Sequence, residues 1–147
     1  MSSLPIIKDP NPLLRQKAAK IKEITPEIKQ LILDMEKTMN EHKGIGLAAP
    51  QIGKSIQLCL ISTDKGTLAL INPLILWKSI RKDTEEEGCL SCPGATIDVK
   101  RSKIIYVRAL NQNGKFIIFR AKGLFARVIQ HEVDHLKGIL IIDKNKN

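Results

Sequence analysis

The sequence predicts an α+β fold in which a helix precedes, and a second helix follows, a series of short strands. Three observations predict it. Apolar residues recur at helical spacing from Ile28 to Met39. Short apolar runs separated by turn residues fill the middle of the chain. A second long helical stretch runs from about Leu124 to Lys137. No repeat, low-complexity segment or linker divides the sequence, so residues 1–147 read as one domain, long enough to bury a core without staples.

Residues 1–24 read as irregular, with a short helical piece near Asn11 to Ala19. Thr25 then offers an N-cap and Pro26 a first helical position. Ile28, Leu31, Ile32, Met35 and Met39 form one apolar stripe, with both methionines expected in the core, and the helix should end near Lys43, before Gly44. From Ser55 to Val107 the texture is that of strands. Ile56, Leu58 and Leu60 alternate with Gln57, Cys59 and Ile61, and Cys59 reads as a small buried hydrophobe. Asp64-Lys65-Gly66 reads as a hairpin turn into Thr67 to Ile71, and Asn72-Pro73 as a break before Leu74 to Trp77. The acidic run before Cys89 reads as a strand connection, and Leu90-Ser91 as extended. Asn111 to Gly114 joins the strands Ile104 to Leu110 and Lys115 to Arg120 as a second hairpin. The last helix places Leu124, Val128 and Leu136 near one face. Gly138 caps it, and the chain closes in the polar run Lys144 to Asn147.

Composition narrows the class. Hydrophobic residues at 43% and charged residues at 27% are ordinary for a globular protein and exclude whole-chain disorder. A net charge of +9 favours anionic partners such as RNA or a ribosomal surface, or else reflects solvated lysines. Aromatics make up only 3% and do not interleave with a basic stripe, so neither a single-strand stacking platform nor specific DNA binding is expected. Three cysteines and a start without a signal-like apolar run argue for a reducing, cytoplasmic setting rather than a disulfide framework. The longest apolar runs are too short to span a bilayer, so no membrane association is expected.

The strongest chemical signal is His131-Glu132-Val133-Asp134-His135. On a helix, residues four apart point the same way, so both imidazoles reach one ion, and Glu132 stands beside the first as an acid/base. Two of the chain's three histidines fall in this arrangement. A catalytic ion usually keeps three protein ligands and one open position, and the third ligand is a carboxylate, His42 or a cysteine such as Cys89. A thiolate with two imidazoles suits zinc, iron(II), cobalt or nickel. Cys89 and Cys92 also form a C-x-x-C, so a closed structural Cys2His2 zinc site, in an RNA-associated module, competes with the catalytic reading. A zinc endopeptidase would use the same histidines and glutamate. Gly44 to Gly53 is rich in small residues that let a backbone approach closely, and Gln51 supplies a neutral amide donor suited to an oxyanion.

Taken together, the segments resemble the peptide deformylases. Three signatures of that family occur in order: Gly44-Ile45-Gly46-Leu47-Ala48-Ala49-Pro50-Gln51, then Glu87-Gly88-Cys89-Leu90-Ser91, then Gln130 followed by His131-Glu132-Val133-Asp134-His135. The likeness also takes in Thr25-Pro26-Glu27, Asn72-Pro73 and Val107-Arg108-Ala109-Leu110. The resemblance implies mixed or antiparallel sheets packed around a central helix that carries the histidines, with a second helix N-terminal to it. It implies a hydrolase that removes the formyl group from the N-terminal methionine of newly made polypeptides and releases formate. It implies one divalent ion held by Cys89, His131 and His135, iron(II) in the cell, with zinc, nickel or cobalt able to take its place. Glu132 would be the acid/base, with the Gln51 side chain and the Leu90 backbone N–H meeting the oxyanion. The segment Gly44, Ile45 and Gly46 would pair with the substrate backbone, and Ile45 and Val128 would receive the methionine side chain. Cys92 departs from the aliphatic residue common at that position and invites oxidation. Some longer family members dock on the ribosome through a C-terminal helix. This sequence stops soon after Asp143, so any transient ribosome association is expected to rest on its positive charge.

Overall fold

The first helix, α1 (Pro26–Glu41), begins where its sequence says it should. The Thr25 hydroxyl accepts the Ile28 N–H at 3.2 Å, and Pro26 sits in the first turn, where a missing N–H has no consequence. Met35 and Met39 are fully buried, with Ile32 beside them. The helix ends slightly before the expected Lys43. Lys43 adopts a left-handed φ of 54°, and the Gly44 N–H reaches back to the Met39 carbonyl at 2.9 Å, which closes the end. In the computed structural model residues 2–145 are described; Met1, Lys146 and Asn147, the last two from the polar run, lie outside the described residues.

The helical piece expected near Asn11 to Ala19 is only a 3₁₀ turn, Pro12–Arg15. Its one buried residue is Leu14, so no apolar stripe supports a longer helix, and Ala19 instead bridges Ile56.

Seven strands follow α1: β1 (Gly46–Ala48), β2 (Leu58–Thr63), β3 (Gly66–Lys78), β4 (Lys82–Gly88), β5 (Thr96–Ser102), β6 (Ile104–Leu110) and β7 (Phe116–Lys122). Five of them form one sheet in the order β1-β2-β3-β6-β7, and β4 and β5 pair separately. All pairings between these strands are antiparallel, which decides between the mixed and antiparallel expectations. Both hairpin turns fall where their residues predict, with Thr63 opposite Gly66 and Leu110 opposite Phe116.

Three expectations about the strands and their connections need correction. Asn72-Pro73 does not end a strand: β3 runs through it with register shifts after Ile71 and after Ile75. Asn72 takes a φ of 52°, and its side chain both accepts from the Ile21 N–H and donates to the Ile21 carbonyl, each at 2.8 Å. A bulge, fastened to the N-terminal segment, absorbs the proline. The acidic run before Cys89 is itself a strand, β4, matched residue for residue by β5. Its charges hid it, because such residues are depleted in strands, yet only Glu87 of β4 is buried. Leu90-Ser91 is a turn rather than extended chain, closed by the Cys92 N–H on the Cys89 carbonyl at 3.0 Å.

The five-stranded sheet is covered on both faces. Leu58, Leu60 and Ile71 pack with α1, whereas Cys59, Ile61 and Leu70 pack with the second helix, α2 (Gly123–Leu136). Cys59 is therefore a core residue, and β2 is buried on both sides rather than alternating with solvent. On α2, Val128, Ile129, Val133 and Leu136 are buried, each stabilising by about 1.5–3 kcal/mol. Leu124, expected on the same face, is 66% exposed. Gly138 follows the helix at a φ of 78°, where a Cβ would lie 2.4 Å from the Arg15 carbonyl oxygen, so only glycine fits. Among the described residues no helix is long and apolar enough to cross a membrane.

The bulge supplies a test of this packing. Asn72→Ala removes two hydrogen bonds to Ile21 and leaves a non-glycine residue at positive φ without its local partner. Urea unfolding should show a loss of about 2 kcal/mol, and a loss below about 0.5 kcal/mol would mean that the fastening is incidental.

Candidate metal centre

His131 and His135 lie one turn apart on α2, as their spacing requires. The turn after β4 brings Cys89 to them. One ligand atom from each of Cys89, His131 and His135 lies within 4.8 Å of the others, and Cys89 Sγ is 3.3 Å from His135 Nε2. Tetrahedral coordination at usual bond lengths separates a sulfur and a nitrogen ligand by about 3.5 Å, so this donor set fits a divalent ion such as zinc or iron(II). His42, the other histidine considered, is exposed and bonds the Thr38 carbonyl at 2.9 Å through Nδ1. Cys92 does not join the cluster. It is buried in an apolar group with Leu14, Val99, Leu140 and Ile141, where burial and the neighbouring Cys89 push its thiol up to about 11.

Each predicted residue can be placed. Glu132 is buried, with Oε2 at 3.9 Å from His131 Nε2 and Oε1 without a hydrogen-bond partner. Burial raises its carboxyl to about 7, against the lowering pull of His131. Burial lowers His135 to about 3. Burial also works against the charge of His131, but Glu132, Cys89 and Glu87 outweigh it and raise this imidazole to about 10. Gln51 is buried on a 3₁₀ turn, Ala49–Ile52. Its Oε1 accepts the Ala48 N–H at 2.9 Å, which turns Nε2 toward Ser91 Oγ at 3.2 Å and Cys89 Sγ at 3.7 Å. No hydrogen bond of the Cys89 turn uses the Leu90 N–H.

These groups border a cavity of about 570 Å³, large enough for the end of a peptide. Gly44, Ile45, Gly46 and Val128 line it, and Leu124, exposed on α2, stands at its wall. Gly46 has a strict steric reason to be glycine: a Cβ there would lie 2.4 Å from Glu132 Oε2 and 2.9 Å from Val128 Cγ1.

A profile of the polypeptide deformylases matches residues 3–147 of the sequence. The chain belongs to the peptide deformylase family. A peptide deformylase from Desulfitobacterium hafniense is 44% identical over 146 residues, covering 99% of this chain and 97% of the relative. The crystal structure of peptide deformylase from Thermotoga maritima superposes with a TM-score of 0.97 at 37% identity, covering 100% of both chains. A class I type b peptide deformylase from Acinetobacter baumannii, solved with Met-Ala-Ser bound, gives a TM-score of 0.93 at 32% identity over 98% of this chain and 99% of that one. Peptide deformylases are hydrolases that work with a single divalent metal, and the Cys/His/His cluster is where this chain offers one.

Glu87 belongs to a deformylase motif, yet the sequence pattern alone assigns it no task. The fold makes it the hub of the centre. Its Oε1 accepts from His131 Nδ1 at 3.0 Å and Arg101 Nη2 at 3.0 Å; its Oε2 accepts from Arg101 Nε at 2.7 Å and Arg127 Nη1 at 2.6 Å. These bonds hold its carboxyl well below the usual range despite burial. The signal in the sequence was Arg127, four residues before His131 and hence on the ligand face of the helix. Ser91 was also missed. Its hydroxyl donates to the Ile7 carbonyl at 2.7 Å, its carbonyl accepts the Asp9 N–H at 2.8 Å, and the Ile7 N–H reaches the Gln51 carbonyl at 2.7 Å. The irregular N-terminal segment thus stitches the Gln51 turn to the Cys89 turn.

Glu87→Gln should weaken ion binding by about 10- to 100-fold, because His131 loses the carboxylate that orients its ring. Competition against a chromophoric chelator, on protein whose circular dichroism is native, checks it; unchanged affinity would remove the orienting role.

Proposed function

We propose that residues 1–147 form one catalytic domain that hydrolyses the N-formyl group from the N-terminal methionine of newly made polypeptides, at an ion held by Cys89, His131 and His135. The observation that carries the proposal is the convergence of those three ligand atoms within 4.8 Å at a cavity sized for a peptide end, with Glu132 buried beside them. A relative that binds Met-Ala-Ser, a peptide of the product type, supports the substrate class.

Cys89, His131 and His135 would hold the divalent ion, which would supply Lewis acidity toward a carbonyl oxygen and lower the pKa of water toward neutrality. Glu132 takes a proton from the attacking water at its carboxylate and returns one to the departing amine nitrogen. A carboxyl near 7 is matched to both transfers. Gln51 Nε2 and the Leu90 N–H donate to the oxygen that gains charge, and both are held in place before the substrate arrives. The backbone of Gly44, Ile45 and Gly46 pairs with the peptide backbone as an added strand, and Ile45 and Val128 receive the methionine side chain. Iron(II) is the ion of the cellular enzyme, with zinc, nickel and cobalt as alternatives that the same soft-to-borderline donors accept. The enzyme works in the cytoplasm, in transient contact with ribosomes.

Formate release from formyl-Met-Ala-Ser by anaerobically iron-loaded protein tests the reading, and no release would overturn it. Glu132→Gln should keep the ion and lose about 10²- to 10⁴-fold in kcat. Full activity in that variant would remove the acid/base role. Cys92→Ala should leave both ion content and turnover unchanged, as metal analysis after gel filtration would show; loss of the ion would instead support the closed Cys2His2 site.

A further inference from the structure

Six cations converge on a second cavity, of about 130 Å³, outside the metal centre. They come from five elements: Lys78 from β3, Lys82 from β4, Lys100 and Arg101 from β5, Lys137 from the end of α2, and Lys144 from the 3₁₀ turn Ile141–Asn145. One carboxylate, Asp134, lines the cavity with them. It is already engaged, by Arg101 Nη1 at 2.8 Å and Lys144 Nζ at 3.4 Å. Among the described residues, Lys78, Lys82, Lys100 and Lys137 have no carboxylate oxygen within 4.0 Å.

Lys78, Lys82, Lys100 and Lys137 are exposed, yet all four line this one cavity. Lys78 is held below the usual lysine range by partial desolvation and then by Lys137, with Lys144 and Lys82 adding to the repulsion. Like charges gathered at a cavity destabilise the fold unless an anion offsets them.

We propose that this cavity binds a phosphate group, presented either as a free oxyanion or as the phosphodiester of a nucleic acid backbone. The small volume admits one tetrahedral anion with a few waters, and an excess of cations over the single carboxylate matches a multiply charged oxyanion better than a carboxylate. Lysines hold phosphate as point charges from several directions, the arrangement seen here, whereas the forked donors of Arg101 are already committed to Glu87 and Asp134. The site is independent of the deformylase reading, because none of its lysines lines the cavity of the metal centre.

The test uses the zinc-loaded protein and the double variant Lys78→Gln/Lys137→Gln. Sodium phosphate should raise the melting temperature of the parent by about 2–4 °C over sodium chloride of equal ionic strength, and this rise should vanish in the variant. A second arm titrates a labelled 12-nucleotide oligouridylate. Affinity at least tenfold lower in the variant, with the salt slope reduced by about 1.4, assigns the site to phosphodiesters; a phosphate response without that loss assigns it to a free oxyanion. Formate release by the variant should match the parent, which shows that it is folded. No phosphate response beyond chloride in the parent, or an undiminished response in the variant, overturns the proposal.

Discussion

One buried carboxylate holds the centre together. Glu87 leaves β4 facing inward and meets Arg101 from β5, Arg127 from α2 and the Nδ1 of His131. It therefore ties the two-stranded β4-β5 sheet to the helix that carries both histidines. The carboxylate and the two guanidiniums around it satisfy one another's hydrogen-bonding demands, and losing the carboxylate alone would leave Arg101 with only Asp134, and Arg127 with only Asp83, as a counter-charge, destabilising the fold. The same contact orients His131, so stability and ligand geometry depend on one interaction.

Around that hub the fold works as a clamp with two jaws. The five-stranded sheet seats α2 on one face and α1 on the other, which fixes the histidines against β1 and the Gln51 turn. The Cys89 turn is not part of that sheet. It is located by Glu87 on one side and by Ser91 on the other, where the N-terminal segment bonds both Ser91 and Gln51. A residue as small as Gly46 matters here because β1 passes so close to Glu132 that any side chain would displace the carboxylate.

Their neighbours give the two buried acidic groups of the centre opposite characters. Glu87 is surrounded by cationic donors and stays ionised, while Glu132 has one oxygen without a protein partner and sits near neutrality in its proton affinity. Two glutamates in one small volume thus differ through their neighbours, one ionised and fastening His131, the other suited to the proton transfer proposed for it. On the other side of Arg101, Asp134 performs a third task, engaging the cations at the edge of the basic cavity.

Local signals in the sequence carried much of this. Thr25-Pro26 started α1, the turn residues placed both hairpins, and the four-residue spacing of His131 and His135 put two candidate ligands on one helix face. Those features depend on backbone geometry and side-chain periodicity over a few residues, so a short window contains their cause. The strand β4 was read as a connection because its charges contradict strand propensity, and the bulge at Asn72 was read as a break because its fastening to Ile21 lies 51 residues away. By itself the sequence determined the helices, the hairpins and the candidate ligands. Only the tertiary structure decided that Cys89 reaches the imidazoles while Cys92 turns into an apolar cluster, that Glu87 is the hub, and that scattered lysines share a cavity, because burial and electrostatic partnership are set by contacts between segments that no local pattern records.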